Sequence, residues 1–398
     1  MVSSQQGLAD NVTRPPGMPM GDASNSSARW RRLGELMKGR ALQMNRKMAH
    51  GGNIWSAAKR FGVTPGELLD FSSNLNDFPV SYPEGILGKL ELLRAYPDPD
   101  HMIYTENLAA YLGVSSGNII LGPGLTHIIY KFCQASRSRG ALIIDPSFSE
   151  YEAACSASSI PVYHAGSIQH ILEAHSGRNY DMVFLASPSN PMGNTITWAD
   201  VQEILSEAEK SNFTIFLDEA FADFASDYDR TRACREAMEN QNLVVGRSLT
   251  KLFGLASLRL GFMVCSGENI DRISGVMEPW SVGQDALEFV SAMNYEQFSD
   301  LPDITARERL WITSALSSLG FSTVGDPRAN YFVVRIPDVV DGQMLEAFLN
   351  ARNILVKMMD DIHGAGKFCR IAVKRHEYNA VLVESFTSFM KSLGDQDE

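Results

Sequence analysis

The chain has 398 residues, of which 44% are hydrophobic and 21% charged, and it carries a formal net charge of -12 at pH 7. These values are typical of a soluble globular protein and exclude a fibrous one, and the acidic balance argues against nucleic acid as the main partner, because binding phosphates needs a basic face. Five scattered cysteines without C-x-x-C spacing, and no apolar run near the ~20 residues of a membrane span, predict a cytoplasmic protein with buried thiols, no metal site and no membrane segment.

Residues 1–49 precede every recognisable motif. Residues 1–27 are rich in Ser, Asn, Gly, Pro and Gln without apolar periodicity, so we expect disorder, and residues 1–10 lack the charged-then-apolar order of a signal peptide. Residues 29–47 hold seven basic residues and one acid, with apolar residues at near-helical spacing. A basic amphipathic helix can bind membranes or acidic partners, but packing on the protein's own acidic body is the favoured interpretation.

Residues 50–115 are expected to form an N-terminal arm and a segment of a small domain. The stretch 57–62 is predicted as a helix that ends at a glycine. The following Asp70-Phe-Ser-Ser-Asn74 is predicted to be extended and to offer polar groups to a substrate. The alternative for this stretch is a simple turn, because residues 74–77 are turn formers.

Residues 116–285 are expected to form a large domain. Short apolar runs with helical patterns between them are typical of a mainly parallel sheet that helices cover on both faces. The seven runs are 119–121, 141–144, 160–163, 182–185, 213–217, 243–245 and 262–264.

Gly122-Pro-Gly-Leu-Thr126 lies between the first of these runs and a predicted helix. Its glycines would let the backbone N–H groups of Gly124, Leu125 and Thr126, together with the helix N-terminus, approach a phosphate closely. A lone Gly-Pro-Gly is more often a turn, so this stretch needs support from elsewhere in the chain.

Two strand ends carry side chains that could bind a cofactor with an electron-withdrawing pyridine ring. Asp218 follows the run 213–217 and could keep a pyridine nitrogen protonated, which makes the ring a strong electron acceptor. Asn190 follows the run 182–185 through a Pro/Gly turn and could reach a ring hydroxyl.

A lysine follows the run 243–245 in Arg247-Ser-Leu-Thr-Lys251. Desolvation and the cations Arg247 and Arg259 are expected to lower the pKa of Lys251, which makes a Schiff base with an aldehyde feasible. Ser248 and Arg259 would offer a hydroxyl and a two-donor guanidinium to a phosphate, so the aldehyde implied is pyridoxal 5'-phosphate (PLP). Taken alone, the stretch is equally well explained as a solvated basic turn. However, Lys251 would lie together with Asn190 and Asp218 at one edge of a parallel sheet, where α/β folds bind ligands.

Residues 286–398 begin with a helix-rich stretch and are expected to form a small α+β domain that closes over the cleft. Strands are predicted at 331–335 and 354–357. None of the eight histidines has metal-binding spacing, which again predicts no metal site.

These stretches together resemble fold-type I PLP enzymes of the aminotransferase class I/II group, and most closely the L-threonine-O-3-phosphate decarboxylases of cobalamin biosynthesis. The resemblance runs from His50 to about residue 392 and implies an α/β fold of PLP fold type I, with a mostly parallel seven-stranded sheet and a small C-terminal domain. Its narrower motifs are His50-Gly-Gly-Asn53, Leu217-Asp-Glu-Ala-Phe221 and Pro279-Trp-Ser-Val282, and its broader ones are Ser189-Asn-Pro-x-Gly193, Arg247-Ser-Leu-Thr-Lys251 and Arg370-Ile-Ala-Val373.

The resemblance implies roles for individual residues. Lys251 and Asp218 would be catalytic, and Phe148 would stack on the pyridine ring. Tyr96 would reach the cofactor phosphate from the neighbouring subunit, which implies a homodimer with shared active sites. The implied substrate contacts are His50, Asn74, Lys357 and Arg370, the last clamping the carboxylate. The implied cofactor contacts are Tyr96, Gly124, Leu125, Thr126, Phe148, Asn190, Asp218, Phe221, Ser248, Thr250, Lys251 and Arg259.

Three residues depart from the pattern of these relatives. Pro123 and Leu125 replace the Asn and the acid that are usual in the phosphate loop, although binding by backbone N–H groups tolerates such changes. Lys357 stands where an arginine more often contacts a phosphorylated substrate, and a lysine cannot make the bidentate fork. Specificity for phosphate could therefore be weaker, or the substrate could differ.

The favoured function is PLP-dependent decarboxylation of an O-phosphorylated hydroxyamino acid, L-threonine O-3-phosphate or L-serine O-phosphate, to the amino-alcohol phosphate for cobamide biosynthesis. Phe221 supports this function, because aminotransferase relatives usually carry a tyrosine there. The alternatives are an aminotransferase like the histidinol-phosphate aminotransferases, another PLP reaction on an amino acid of specialised metabolism, and a non-enzymatic protein. The last is disfavoured because Lys251 is present.

Overall fold

The computed structural model of the chain describes residues 51–86, 94–173, 179–226, 228–359 and 367–394. The extension of residues 1–49 and His50 lie outside these ranges, so what the sequence predicts for them stays a prediction. The described residues pack around apolar cores, two of which lie on the faces of a large sheet and one beside a smaller sheet.

The strands of the described residues are numbered here in chain order. They are β1 (Leu69–Asp70), β2 (Ile119–Gly122), β3 (Ala141–Ile144), β4 (Val162–Ala165), β5 (Met182–Ala186), β6 (Thr214–Asp218), β7 (Leu243–Arg247), β8 (Gly261–Cys265), β9 (Ser322–Thr323), β10 (Tyr331–Arg335), β11 (Ile354–Leu355), β12 (Lys357–Met359) and β13 (Phe368–Ala372).

The helices are numbered in the same way. They are α1 (Ile54–Phe61), α2 (Met102–Leu112), α3 (Leu125–Ala135), α4 (Glu150–Ala157), α5 (Gln169–Glu173), α6 (Trp198–Ser211), α7 (Arg232–Glu239), α8 (Leu249–Phe253), α9 (Gly267–Ser274), α10 (Gln284–Ala292), α11 (Leu301–Ser318), α12 (Gly342–Asn350) and α13 (His376–Gly394).

The large sheet has seven strands in the order β2-β8-β7-β6-β5-β3-β4. Its neighbouring strands are parallel, except that β8 runs antiparallel to both β2 and β7. The strands β5, β6 and β7 are adjacent and parallel, so their carboxyl ends lie side by side at one edge of the sheet. That edge is where ligands bind in open α/β sheets.

Apart from the edge strand β4, the strands of this sheet are apolar on both faces because helices cover both faces. In β6, Ile215 and Leu217 belong to one core and Phe216 to the core on the opposite face. The strand β4 begins at Val162, later than the predicted run 160–163, because Pro161 has no N–H for the sheet. The carbonyl of Pro161 does accept a hydrogen bond, from the N–H of Ala141 at 2.8 Å.

A four-stranded antiparallel sheet in the order β12-β13-β10-β9 forms the smaller part of the fold. Its core includes Phe332 from β10 and Phe386 from α13. The strand β1 pairs in parallel with β11, so the segment after α1 joins the C-terminal part of the chain. In the register of β12 and β13, Lys357 lies opposite Arg370, which puts both side chains on one face.

The predicted α/β architecture, with a mostly parallel seven-stranded sheet covered by helices, is confirmed. The helix predicted at 57–62 is present as α1, and it ends at Gly62 in the left-handed conformation. Across the ranges that the model covers, no helix has both the length and the apolar character needed to cross a bilayer. The predicted domain limits of 50–115, 116–285 and 286–398 stay predictions.

Candidate active site

Three strand ends bring polar side chains to the carboxyl edge of the large sheet. Asp218 is the last residue of β6, Asn190 follows β5, and Lys251 lies in α8 directly after β7. Lys251 interacts electrostatically with Asp218 and with Arg370 of β13. The Nη1 of Arg370 donates to Oδ1 of Asn190 at 2.7 Å. The residues that the sequence predicts to meet therefore surround one site.

The amine of Lys251 has an environment that favours its neutral form. Burial, followed by the positive charges of Arg370 and Arg259, lowers its pKa from 10.5 to about 8. The negative charges of Asp218 and Asp70 oppose this shift without cancelling it. Because the neutral amine is the form that attacks an aldehyde, Lys251 can react near neutral pH.

Arg247 does not have the role that the sequence suggests. Its guanidinium is buried and donates from Nη1 to Oε2 of Glu219 at 3.1 Å and from Nη2 to Oδ1 of Asp223 at 2.7 Å. Arg370, which is remote in sequence, is instead the largest cationic influence on Lys251. The prediction for Arg247 is therefore wrong, because two carboxylates that follow β6 hold its guanidinium.

The carboxylate of Asp218 is buried and receives two hydrogen bonds. The hydroxyl of Tyr151 donates to Oδ2 at 2.6 Å, and the N–H of Ala220 donates to Oδ1 at 2.9 Å. Burial raises the pKa of Asp218, while both hydrogen bonds and the charge of Lys251 lower it. A buried carboxylate of this kind suits a protonated pyridine nitrogen, because the ion pair offsets the desolvation of both groups.

Arg370 is fixed from two sides. Besides its bond to Asn190, it donates from Nη2 to the carbonyl of Ser72 at 3.0 Å. Its Nε is buried without a hydrogen-bond partner, and burial lowers its pKa. A buried donor without a partner is costly in the free protein. The unpartnered Nε of Arg370 fits an arginine that binds an anionic ligand, which the sequence predicts to be the substrate carboxylate.

The segment of residues 70–76 lies against the helix of Lys251. The N–H of Asn76 donates to the carbonyl of Lys251 at 3.0 Å, and its Nδ2 donates to the carbonyl of Leu252 at 2.9 Å. Asn74, two residues before Asn76, is buried, and its Oδ1 has no hydrogen-bond partner. This acceptor is available to a ligand, and the predicted contact of Asn74 with substrate stays a prediction.

The start of α3 forms a cradle with Arg259. Gly124 has a φ of +92°, and a Cβ at this position would lie 2.5 Å from Nη2 of Arg259. A Cβ at Gly261 would lie 2.3 Å from the backbone N of Leu125. Both glycines are therefore needed to let the guanidinium and β8 approach the first backbone N–H groups of α3. Such a helix start, facing a guanidinium, suits a phosphate.

The hydroxyls of Ser248 and Thr250 differ in their contacts. Ser248 is buried at the start of α8, and its side chain does not cap that helix. Thr250 donates from its hydroxyl to the carbonyl of Leu260 at 2.9 Å and accepts from the N–H of Leu260 at 3.1 Å. The hydroxyl of Thr250 thus anchors the residue after Arg259, and Ser248 is the hydroxyl left for a phosphate.

The two predicted aromatic contacts have different neighbours in the site. Phe148 meets Tyr151 edge-on, with ring centroids 5.7 Å apart, and so lies near Asp218. Phe221 meets Tyr331 edge-on at 4.8 Å, and the ammonium of Lys251 lies 5.8 Å from the Phe221 ring centroid.

Tyr96 lies at the surface of the subunit. It is 79% exposed and contacts Trp280, which is 47% exposed, with ring centroids 4.7 Å apart and planes tilted by 31°. This position agrees with a residue that acts outside its own subunit, although the shared site stays a prediction. Lys357 lies opposite Arg370 across two strands, and its charge also acts on Glu346.

Tyr151 and Tyr331 are site residues that the sequence reasoning missed. The hydroxyl of Tyr331 donates to the carbonyl of Ser189 at 2.7 Å, and its ring centroid lies 5.4 Å from the Arg370 guanidinium carbon. Tyr151 follows Phe148 by one helical turn, which is the only local indication that it could face the same site.

The residues present fit PLP. The cradle at the start of α3, with Ser248 and Arg259, would hold its phosphate, Asp218 would face its ring nitrogen, and Lys251 would take its aldehyde. Because Oδ1 of Asn190 accepts from Arg370, the Nδ2 of this amide is the group that would face the ring hydroxyl. The cradle that a Cβ at Gly124 would fill is the strongest structural support for this fit.

Comparisons with known proteins identify the family of the chain. Residues 66–386 match the model of the family "Aminotransferase class I and II". The chain is 30% identical over 370 residues to a threonine-phosphate decarboxylase of Salmonella typhimurium, covering 88% of this chain and 98% of the relative. It is 29% identical over 352 residues to a histidinol-phosphate aminotransferase of Methanosarcina mazei, covering 84% and 92%.

A solved structure shows the same fold. The histidinol-phosphate aminotransferase of Sinorhizobium meliloti, in complex with pyridoxal-5'-phosphate, superposes with a TM-score of 0.72 at 16% identity, covering 88% of this chain and 98% of that one. The family match and the 30% identical relative each span most of this chain. The chain therefore belongs to the aminotransferase class I and II family and is a pyridoxal phosphate-dependent enzyme.

Proposed function

We propose that the enzyme removes the carboxylate of an O-phosphorylated hydroxyamino acid, L-threonine O-3-phosphate or L-serine O-phosphate, and releases the amino-alcohol phosphate for cobamide biosynthesis. The observation that carries the proposal is the cross-strand pair of Arg370 and Lys357, two cations on one face of the small sheet. Such a pair suits a substrate with two anionic groups, a carboxylate and a phosphate. Histidinol phosphate has a phosphate and no carboxylate, although the amino-group acceptor in aminotransfer, 2-oxoglutarate, has two carboxylates.

The two cations would orient the substrate. Arg370, held by Asn190 and Ser72, would bind the carboxylate through its remaining donor Nε. Lys357, one strand away, would attract the phosphate as a point charge. Fixing both ends of the molecule determines which bond at its α-carbon is placed for cleavage.

The remaining residues would support the chemistry. When bound, PLP supplies a protonated pyridine ring that withdraws electrons from the substrate's α-carbon. Asp218 would keep the proton on the ring nitrogen, and Lys251, with its pKa near 8, could return a proton from Nζ to the α-carbon after carbon dioxide leaves. Phe221, which has no hydroxyl, packs against Tyr331 and brings no further proton donor into the site.

Two further features belong to the proposal. The exposed pair of Tyr96 and Trp280 supports a homodimer in which each subunit completes the other's site, because exposed aromatic side chains are enriched at interfaces. The five cysteines are buried and unpaired, which agrees with a reducing cytoplasm.

Aminotransfer is the second candidate function. It is supported by the 29% identity to the histidinol-phosphate aminotransferase of Methanosarcina mazei. In that reaction Lys251 would take a proton from the α-carbon, and a pKa near 8 suits this task equally well.

The test is a parallel assay of both reactions. Purified enzyme with PLP and 2-oxoglutarate is given L-threonine O-3-phosphate, L-serine O-phosphate, L-threonine or histidinol phosphate in separate reactions, while carbon dioxide and glutamate are measured. We expect carbon dioxide and amine phosphate from a phosphorylated amino acid, with glutamate as a minor product. Glutamate in stoichiometric yield from histidinol phosphate, without carbon dioxide from any substrate, would establish the aminotransferase instead.

A pair of variants tests the two-cation argument. Lys357→Gln should lower kcat/KM for the phosphorylated amino acid about tenfold while leaving the unphosphorylated analogue unaffected, because one charge-assisted contact is lost. Lys59→Gln, at an exposed position of α1, serves as the control and should change neither value. Equal losses on both substrates would remove Lys357 from phosphate recognition.

A further inference from the structure

The carboxylate of Asp218 depends on one side chain that no catalytic assignment includes. Tyr151 is 1% exposed, and its hydroxyl donates to Oδ2 of Asp218 at 2.6 Å. The backbone N–H of Ala220 holds the other oxygen at 2.9 Å. Each oxygen therefore has one donor from the protein, and each can still accept one more hydrogen bond.

The position of the Tyr151 hydroxyl is fixed by packing. Its ring stacks on Phe184 with centroids 4.9 Å apart and planes 11° apart, and it meets Phe148 edge-on at 5.7 Å. A ring held on two sides cannot turn its hydroxyl elsewhere, and the buried hydroxyl has no access to water. The hydrogen bond therefore fixes Asp218 rather than following it.

The charge of Asp218 also depends on this contact. Burial raises the pKa of Asp218, and the Tyr151 hydroxyl, the Ala220 N–H and the charge of Lys251 oppose that rise. The other titratable side chains that act on Asp218 in the described part of the chain are Lys251 of α8 and Tyr331 of β10. Lys251 must give up its proton to react with an aldehyde, and its positive charge then no longer lowers the pKa of Asp218. The hydrogen bond from Tyr151 does not change with that event.

We infer that Tyr151 is a positioning residue: it holds the carboxylate of Asp218 ionised and in place for the ring nitrogen of the cofactor. The inference concerns cofactor binding alone and holds for decarboxylation and aminotransfer alike. If the inference about Tyr151 is wrong, the proposed substrate is unaffected. If the proposed substrate is wrong, the inference about Tyr151 is unaffected.

The experiment uses Tyr151→Phe in the full-length protein, with PLP added to the apoprotein. Removing the hydroxyl takes a charge-assisted hydrogen bond from a buried carboxylate, so affinity for PLP should fall about tenfold near neutral pH. The pKa of Asp218 should rise, so affinity should be lost at a higher pH than in the native protein as the pH is lowered, by about one pH unit. The readouts are the dissociation constant of PLP from absorbance titration and its dependence on pH.

Two reference variants frame the result. Tyr130→Phe removes a hydroxyl that donates to Glu150 at 3.0 Å, away from Asp218, and should leave affinity and pH profile unchanged. Asp218→Asn should bind PLP weakly with no such pH dependence, because the amide does not titrate in this range. The melting temperature of each apoprotein shows whether the variant folds.

A second substitution at position 151 should shift the pH at which affinity for PLP is lost in the opposite direction. A fluorinated tyrosine at position 151 is a stronger hydrogen-bond donor, so it should shift the loss of affinity to lower pH. If Tyr151→Phe and the fluorinated protein both keep the native affinity and pH profile, whatever their melting temperatures, Tyr151 is a core residue only and the inference is wrong.

Discussion

The reactivity of Lys251 shows how a single residue acquires its chemistry from its surroundings. Its pKa of about 8 comes first from burial and then from Arg370 and Arg259, two cations from different parts of the chain. Because the folded-state pKa lies below the ordinary 10.5, Lys251 loses its proton at a lower pH in the folded protein than in the unfolded chain.

We expect covalent attachment of PLP to the apoprotein to accelerate as the pH rises through about 8 and then to level off. At saturating PLP, Arg259→Gln should move this rise to higher pH, because one cation that lowers the pKa is removed. Lys251→Ala should keep the fold and attach no cofactor, whereas Lys59→Ala should behave as the native protein. Borohydride reduction followed by mass spectrometry measures the attachment, and a reducible adduct in Lys251→Ala would contradict the assignment.

Single residues also mark the limit of what the sequence predicts. Lys251, Asp218 and Asn190 could be found because each lies just past a recognisable apolar strand. Arg370 could be placed near Lys251 only through a resemblance, because the two are 119 positions apart in sequence. The partners of Arg247 and Tyr151 could not be predicted, because they depend on which way each side chain leaves its strand or helix.

Among the elements, β6 and β7 are joined by a buried ionic network that begins at Glu219, the residue after Asp218. Arg247, the last residue of β7, binds Glu219 and Asp223, which follow β6. The hydroxyl of Tyr228 donates to the other oxygen of Glu219 at 2.6 Å. Two carboxylates share one guanidinium, and burial raises the pKa of Glu219 to about 7. The network thus fixes the end of β6, which carries Asp218, and the end of β7, which leads into the helix of Lys251.

The network gives a stability prediction with a definite sign. The pKa of Glu219 is raised from 4.5 to about 7 on folding, so the folded protein holds this proton longer and loses stability as the pH rises between these values. Glu219→Gln removes the titration, so its stability relative to the native protein should increase over that window, by roughly 3 kcal/mol at most, and then level off. Urea unfolding at about pH 5 and about pH 8 measures the difference.

Two comparisons test whether the effect belongs to the network. Glu209→Gln, at an exposed position of α6, should show no such change with pH. Arg247→Met leaves two buried carboxylates without their cation and should destabilise the protein by about 3–5 kcal/mol. A constant difference between Glu219→Gln and the native protein across the window would show that Glu219 is ionised throughout.

The elements themselves followed closely from local patterns. Each apolar run of the large domain became a strand, β6 lies one residue later than its run, and the larger shift, in β4, is explained by Pro161. The pairing of β1 with β11 could not be predicted, because it joins two short segments that are 285 positions apart. That pairing depends on the closure of the whole chain rather than on local sequence.

At the scale of the whole molecule, the surface near Tyr96 is unusual for a protein that stays monomeric. The rings of Tyr96 and Trp280 contact each other while both remain exposed, and Met102 and Ile103 of α2, a few residues after Tyr96 in sequence, are 53% and 63% exposed. Exposed apolar side chains grouped in this way mark interaction surfaces. A second copy of the chain is the partner that would also use Tyr96 in the site.

Mixed dimers test this arrangement directly. Lys251→Ala and Tyr96→Ala should each be inactive or nearly so as homodimers. If Tyr96 completes the neighbour's site, unfolding and refolding them together should restore about a quarter of native activity, because about half of the dimers are mixed and each has one intact site. Lys251→Ala mixed with Asp218→Asn is the matched control and should restore nothing, since both residues belong to one subunit's site. Sedimentation of each variant verifies that dimers form, and mixtures that stay inactive although mixed dimers are present would mean that each subunit holds a complete site of its own.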